Sequence, residues 1–166
     1  MNMEDLINDA RTENWKSVDE KIPKLCNDIK VQNIALKLLA DKDGNVRDLG
    51  ASILEKARID SARFSRMRVP LVMVMRNDNN IYAKYRAAFA LANHEPREYT
   101  QEVLELIKQA SKNKEVGAIA NNYLGKLEKW KNFLVLDGKQ ANNLENKGSI
   151  DIMLVCILGE KWWALI

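Results

Sequence analysis

One short pattern occurs three times in this chain, and that repetition constrains the fold more than any other feature. The copies occupy residues 46–54, 83–91 and 116–124, and each follows a short polar turn and an apolar helical stretch. Repetition at a spacing of about 20–50 residues is typical of stacked supersecondary units. Aligned without gaps, the copies share a small residue at one position and leucine at another: Gly50, Ala87 and Ala120, then Leu54, Leu91 and Leu124.

Composition and periodicity both favour an all-α chain. Glycine and proline, which a turn-rich β fold uses heavily, number only seven and three in 166 residues. Leucine, alanine, lysine and glutamate are abundant and favour helix. The apolar spacing predicts an N-terminal cap followed by three helix pairs. The predicted boundaries are about 1–29 for the cap and about 30–60, 61–97 and 98–133 for the repeats.

Two prolines and the polar turns refine this prediction. We expect the cap to hold two short helices broken near Pro23. Pro70 should lie early in its helix, where a missing N–H is tolerated. Asp43 or Asn45 is expected to cap the helix that follows the first turn. The shared small residue, Gly50 in the first copy, should lie where two helices cross, because a larger side chain would hold them apart.

A known repeat family shows a similar pattern. Asp43, Val46, Arg47, Ala51 and Leu54 form Asp-x-x-Val-Arg-x-x-x-Ala-x-x-x-Leu, which resembles the second-helix motif of HEAT repeats. The resemblance covers about residues 30–130. It implies an all-α fold, a right-handed superhelical stack of antiparallel helix pairs (a HEAT-like solenoid), of a kind that binds other macromolecules.

The resemblance also has consequences for charged residues. Lys84 occupies the position of Arg47 in the second copy, whereas Gly117 replaces the basic residue in the third. In the family this basic residue commonly pairs with an acidic side chain in an inter-helix turn, so Arg47 and Lys84 are expected to be structural. The available acids are Asp41, Asp43 and Asp78.

The second helices of HEAT-like solenoids line the concave side, which predicts a binding surface there. Aromatic and arginine side chains dominate the energetics of protein interfaces. We therefore expect a non-catalytic scaffold or adaptor that binds a protein or peptide, although Tyr85 and Phe89 could instead pack against adjacent repeats as core. The predicted concave residues are Tyr82, Tyr85, Arg86, Phe89 and Asn93, with Asp48, Ser52, Asn122 and Lys126 from the neighbouring copies.

A basic segment offers a different function. Residues 56–86 carry eight lysines and arginines but only two acidic residues, whereas the chain as a whole has a net charge of +3. Phosphate contacts need only a density of positive charge and no motif. The alternative prediction is therefore nucleic-acid binding through Arg58, Arg63, Arg66 and Arg68.

Nothing in the sequence predicts catalysis. His94 is the only histidine, and no metal-binding spacing or phosphate-binding glycine loop is present. Some HEAT-like proteins excise alkylated bases with Trp, Asp and Arg in a concave groove, but the tryptophans here lie outside the central repeats. They are Trp15, Trp130, Trp162 and Trp163. We expect no enzyme activity, no cofactor and no metal.

The end of the chain differs from the repeats. Residues 134–148 are expected to form a loop because they are rich in Gly, Asn and Asp. Residues 149–166 are strongly apolar, but their uninterrupted run at 152–158 is too short to span a bilayer. We expect this segment to cap the last repeat or to form a homodimer. The N-terminus lacks the features of a secretory signal, which predicts a cytoplasmic protein with no membrane association.

Overall fold

The computed structural model describes residues 2–95 and 101–127, and its regular elements in these ranges are all α-helices. The all-α prediction is confirmed for this part of the chain. The last described helix, α8, covers residues 117–127. The preceding helices are α1 (Met3–Arg11), α2 (Trp15–Leu25), α3 (Ile29–Leu38), α4 (Gly44–Lys56), α5 (Ser61–Asn77), α6 (Ile81–His94) and α7 (Gln101–Ala110).

The turns before α4, α6 and α8 are built in the same way. Asp43, Asn80 and Asn113 occupy equivalent positions in the three copies. Each side chain accepts a hydrogen bond from the backbone amide two residues later, at 2.8–2.9 Å. Such caps satisfy amides at the start of a helix and contribute about 1 kcal/mol each. Asp43 is therefore the cap of α4. It is one of the two residues, Asp43 or Asn45, that were predicted for this role.

The crossing of α3 and α4 depends on the small residue at position 50. A Cβ atom added to Gly50 would lie 2.8 Å from the Ala35 carbonyl oxygen and 3.1 Å from the Leu38 Cβ atom. The equivalent Ala87 and Ala120 are fully buried. The prediction that Gly50 permits a close helix crossing is confirmed.

The second helices of the three copies form the interior of the described fold. α4 packs against α1, α2, α3 and α6, while α6 also packs against α5 and α7. The Phe89 ring of α6 stacks on the Tyr123 ring of α8, with centroids 5.1 Å apart. As a result, polar and charged residues of α4 and α6 are also buried in the interior.

An ion pair joins α4 to the turn before α6. The Arg47 guanidinium donates two hydrogen bonds to the Asp78 carboxylate, Nε to Oδ2 at 2.6 Å and Nη2 to Oδ1 at 2.7 Å. Its Nη1 also donates to the Asp41 carbonyl oxygen at 2.8 Å. The expected pairing of Arg47 with an acidic turn residue is confirmed.

Two proline predictions were wrong. The break in the N-terminal cap falls at residues 12–14, where Glu13 has a φ of 59°. Pro23 instead lies in the last turn of α2, where it removes only one late hydrogen bond. Pro70 lies in the middle of α5, because Asp60 caps that helix by accepting a hydrogen bond from the Arg63 amide and so starts it earlier than expected.

Other predictions concern residues outside the described ranges. These are the domain boundary at 133, the loop at 134–148, and the capping or dimerising role of 149–166. They remain predictions.

Candidate functional site

Five of the nine predicted concave residues are buried, so the prediction of an exposed surface is wrong for them. Helices α4 and α6 pack face to face, and α8 covers Phe89, so Tyr85, Arg86 and Phe89 are enclosed by neighbouring helices. The alternative that Tyr85 and Phe89 belong to the core describes the structure. The buried residues are Asp48, Ser52, Tyr85, Arg86 and Phe89.

Three helices bring polar side chains together in this interior, forming what we call the buried polar cluster: Asp48, Ser52 and Glu55 on α4, Arg86 on α6 and Tyr123 on α8. Arg86 Nη1 donates to Glu55 Oε2 at 3.1 Å, and the Tyr123 hydroxyl donates to Glu55 Oε1 at 3.0 Å. Arg86 Nε lies 3.8 Å from Asp48 Oδ1, and the Ser52 hydroxyl donates to the same oxygen at 3.4 Å. Glu55 is therefore bonded more closely than Asp48.

Burial governs the ionisation of the cluster. It raises the pKa of Asp48 to about 7, and the nearby Arg86 only partly opposes this effect. Burial also raises the pKa of the Tyr123 hydroxyl, and the Glu55 carboxylate raises it further. For Arg86, burial disfavours the charged form, but Glu55 and Asp48 outweigh it and raise the pKa. Tyr123 and Arg86 therefore stay protonated at neutral pH, as donors to Glu55.

Glu55 and Tyr123 were not among the predicted site residues. Glu55 stands inside the apolar run of α4, three residues after Ser52, where a charged side chain in a buried helix needs a partner. That signal was available. The pairing of Glu55 with Arg86 and Tyr123 was not, because it depends on how α4, α6 and α8 are placed.

The other predicted concave residues are more accessible. Tyr82 is half-buried, and its hydrogen bond to Glu115 raises the pKa of its hydroxyl. Asn93 is exposed, and its Nδ2 donates to the Glu55 carbonyl oxygen at 2.9 Å. Asn122 and Lys126 are exposed on α8.

The four arginines predicted to contact nucleic acid differ in their surroundings. Arg63 Nη2 donates to Gln32 Oε1 at 2.6 Å, and Arg68 forms an ion pair with Glu95 at 3.0 Å. Arg58 and Arg66 are exposed. Two of the four guanidinium groups are therefore engaged within the protein.

The outward face of α5 has an unusual composition. Val69 and Met73 are 67% and 55% exposed, and Arg66 and Arg76 lie one turn before and after them. The spacing of three, four and three residues places all four side chains on one face of the helix. We call this set (Arg66, Val69, Met73 and Arg76) the α5 stripe. The α5 sequence contains four arginines and no acidic residue.

Within the described ranges, no group of three or more histidine, cysteine, aspartate or glutamate side chains is arranged so that it could bind a metal ion. Among the same residues, no helix is long and apolar enough to cross a membrane.

No protein-family model, no curated protein and no solved structure matches this chain. The resemblance to HEAT repeats therefore stays a prediction.

Proposed function

We propose that this protein is a non-catalytic scaffold whose α5 stripe binds an acidic segment of a protein partner. The observation that supports the proposal most is the exposure of Val69 and Met73 between two arginines. Methionine, arginine and exposed apolar side chains are enriched in protein interfaces, where they bury area and form charge-assisted hydrogen bonds. The proposal keeps the predicted scaffold function and moves its surface from α4 and α6 to α5.

The charge of α5 favours an acidic occupant. Arg66 at one end of the stripe is exposed and supplies positive charge beside the apolar centre. Arg76 at the other end pairs with the Glu102 side chain, which its Nε and Nη2 atoms contact at 2.9–3.1 Å, so an acidic partner would have to compete with Glu102 there. An amphipathic segment with glutamate or aspartate beside apolar side chains would match both the charge and the apolar centre of the stripe.

The composition of the α5 stripe favours a protein partner rather than nucleic acid. Its two central residues are apolar, and a phosphate backbone makes no use of apolar area. Two of the predicted phosphate contacts, Arg63 and Arg68, are already bonded to Gln32 and Glu95.

Site-specific photo-crosslinking in the native host tests the proposed function. A photoreactive amino acid would replace Val69 or Met73, with Glu20 on α2 as an exposed control. We expect the same protein to be crosslinked from positions 69 and 73 and not from position 20. Identical products at all three positions, or none at 69 and 73, would contradict the proposal.

Charge reversal with purified components then tests the acidic partner. Arg66→Glu should weaken the captured interaction by about tenfold or more, as expected for loss of an interface arginine. Lys30→Glu on α3, also an exposed basic residue, is the matched control and should leave binding unchanged. The same proteins titrated with duplex DNA test the alternative. Tight binding that falls about a thousandfold between roughly 50 and 200 mM salt would favour nucleic acid.

A further inference from the structure

The buried polar cluster contains an unbalanced set of charges. Asp48 and Glu55 supply two carboxyl groups, Arg86 supplies one guanidinium, and the remaining members, Ser52 and Tyr123, are neutral donors. If every acid and base were ionised, the interior would hold an excess negative charge. An uncompensated charge away from water is costly, and proteins commonly avoid it by binding a proton.

The geometry determines which carboxyl group takes that proton. Glu55 accepts direct hydrogen bonds from both Arg86 and Tyr123, at 3.1 and 3.0 Å. Asp48 has only the Ser52 hydroxyl at 3.4 Å, and its nearest guanidinium atom is 3.8 Å away. Since hydrogen bonds to a carboxylate stabilise its charged form, this geometry favours Asp48 as the carboxyl group that binds the proton.

The groups around Asp48 reinforce this assignment. On α2, Asp19 adds negative charge near Asp48, although Lys56 at the end of α4 pairs with Asp19 at 2.9 Å. On α6, Arg86 provides the opposing positive charge, and His94 Nε2 lies 2.8 Å from the Leu54 carbonyl oxygen of α4. Burial is the largest influence on Asp48 and raises its pKa to about 7.

We propose that Asp48 is a proton-binding site that controls the packing of α4 against α6. With the proton bound, Glu55 and Arg86 form a neutral, hydrogen-bonded pair. Once the proton is lost, Asp48 adds a second negative charge and attracts Arg86 Nε, which has no hydrogen-bond partner among the residues that the structure describes. The guanidinium is then shared between two carboxylates, and its hydrogen bond to Glu55 weakens. This device is independent of the partner that the α5 stripe binds.

The direct test is a carbon-13 NMR titration of the aspartate side-chain carboxyl groups in the full chain. We expect the Asp48 resonance to titrate near pH 7, about three units above an ordinary aspartate. Sequential assignment of the wild-type spectrum identifies the resonance without any variant. A midpoint below about pH 5 would overturn the proposal, because Asp48 would then be ionised in the folded protein at neutral pH.

Urea unfolding between pH 5 and 8 tests the effect on packing. The folded pKa of Asp48 lies above its unfolded value, so the folded state holds the extra proton between them and loses stability as pH rises. His94 titrates with the opposite sign in this range, so the measurement is made in a His94→Gln background. There the ratio of unfolded to folded protein should increase by up to about tenfold per pH unit until pH 7. Adding Asp48→Asn, which is permanently neutral, should abolish this increase, whereas adding Asp19→Asn should retain it. An increase that persists unchanged in Asp48→Asn would place the responsible group elsewhere and overturn the proposal.

Discussion

Helices α4 and α6 differ from α5 in which of their side chains are buried, and this difference is not visible in the three sequences. All three place large side chains at spacings of three and four residues. In α6 the side chains of Arg86 and Phe89 are buried, between α4 and α8. On α5 a stripe of similar spacing, with Val69 and Met73 at its centre, faces outward.

The comparison shows that helical spacing identifies which residues share a face but not what lies opposite that face. α6 has packed neighbours on several sides, α4, α5 and α7. α5 packs mainly on α6 and buries Phe64, Leu71 and Val74 there. Polar residues of α4 and α6 are therefore paired in the interior, whereas the apolar residues Val69 and Met73 of the α5 stripe are exposed.

The largest expected effect comes from removing the positive charge of the interior. Arg86→Ala would leave Glu55 and Asp48 buried without their counter-charge, and loss of one partner from a buried ion pair costs about 3–5 kcal/mol. Urea denaturation at pH 7 measures the loss. Lys84→Ala on the same helix is the control, because Lys84 is only half-buried, and we expect a loss below about 1 kcal/mol. Similar losses in the two variants would show that the interior assignment of Arg86 is wrong.

A second prediction compares two glycines. Gly50→Ala should destabilise the protein by about 1–3 kcal/mol, because the new methyl group would press against Ala35 and Leu38 of α3. Gly125→Ala is the matched control, since a Cβ there meets no atom of the described residues within 4 Å, and alanine is the better helix former by about 1 kcal/mol. The thermal midpoint should therefore fall for the first variant and rise for the second. A rise for both would contradict the close crossing of α3 and α4.

Several of these structural features were predictable because they are local or repeated. The cap of α4 and the crossing at Gly50 follow from short patterns in the sequence. The pairing of Arg47 with an acidic turn residue was expected from the resemblance to HEAT repeats, which left Asp41, Asp43 and Asp78 as alternatives. The early start of α5 was missed because Asp60, its cap, lies outside the repeated turn pattern. The concave surface was misassigned because burial of Arg86 depends on residues far along the chain, such as Tyr123 of α8.

A pH-dependent prediction concerns His94, which lies between the two compared regions. Its Nε2 is 2.8 Å from the Leu54 carbonyl oxygen of α4, and its ring packs on Phe64 of α5 with centroids 4.4 Å apart. Burial lowers the pKa of His94, although the Leu54 hydrogen bond partly opposes the shift. The folded state therefore disfavours the charged imidazolium, and stability falls as pH decreases below about 6.5, where unfolded histidine binds a proton.

The pH dependence of stability caused by His94 is opposite in sign to that caused by Asp48, so the two contributions can be measured separately. Unfolding of Asp48→Asn between pH 7 and 5 should show decreasing stability toward the acidic end, with a slope of less than one proton. Adding His94→Gln should remove the slope. If stability of the single variant instead rises toward pH 5, His94 is not the group that titrates.

The smallest effect on stability is expected for a substitution in the α5 stripe. Because stability should be unchanged there, any loss of binding can be assigned to the surface itself. Met73→Gln replaces an exposed side chain with a polar helix former, so the free energy of unfolding should change by no more than about 0.5 kcal/mol. Val74→Gln, one residue further along, places an amide in the buried face of α5, and we expect a loss of about 2–4 kcal/mol. Partner binding, measured with the protein crosslinked from position 69, should be reduced by Met73→Gln in spite of its unchanged stability. Loss of binding together with loss of stability would mean that Met73 belongs to the core, and unchanged binding would mean that the partner does not use the stripe.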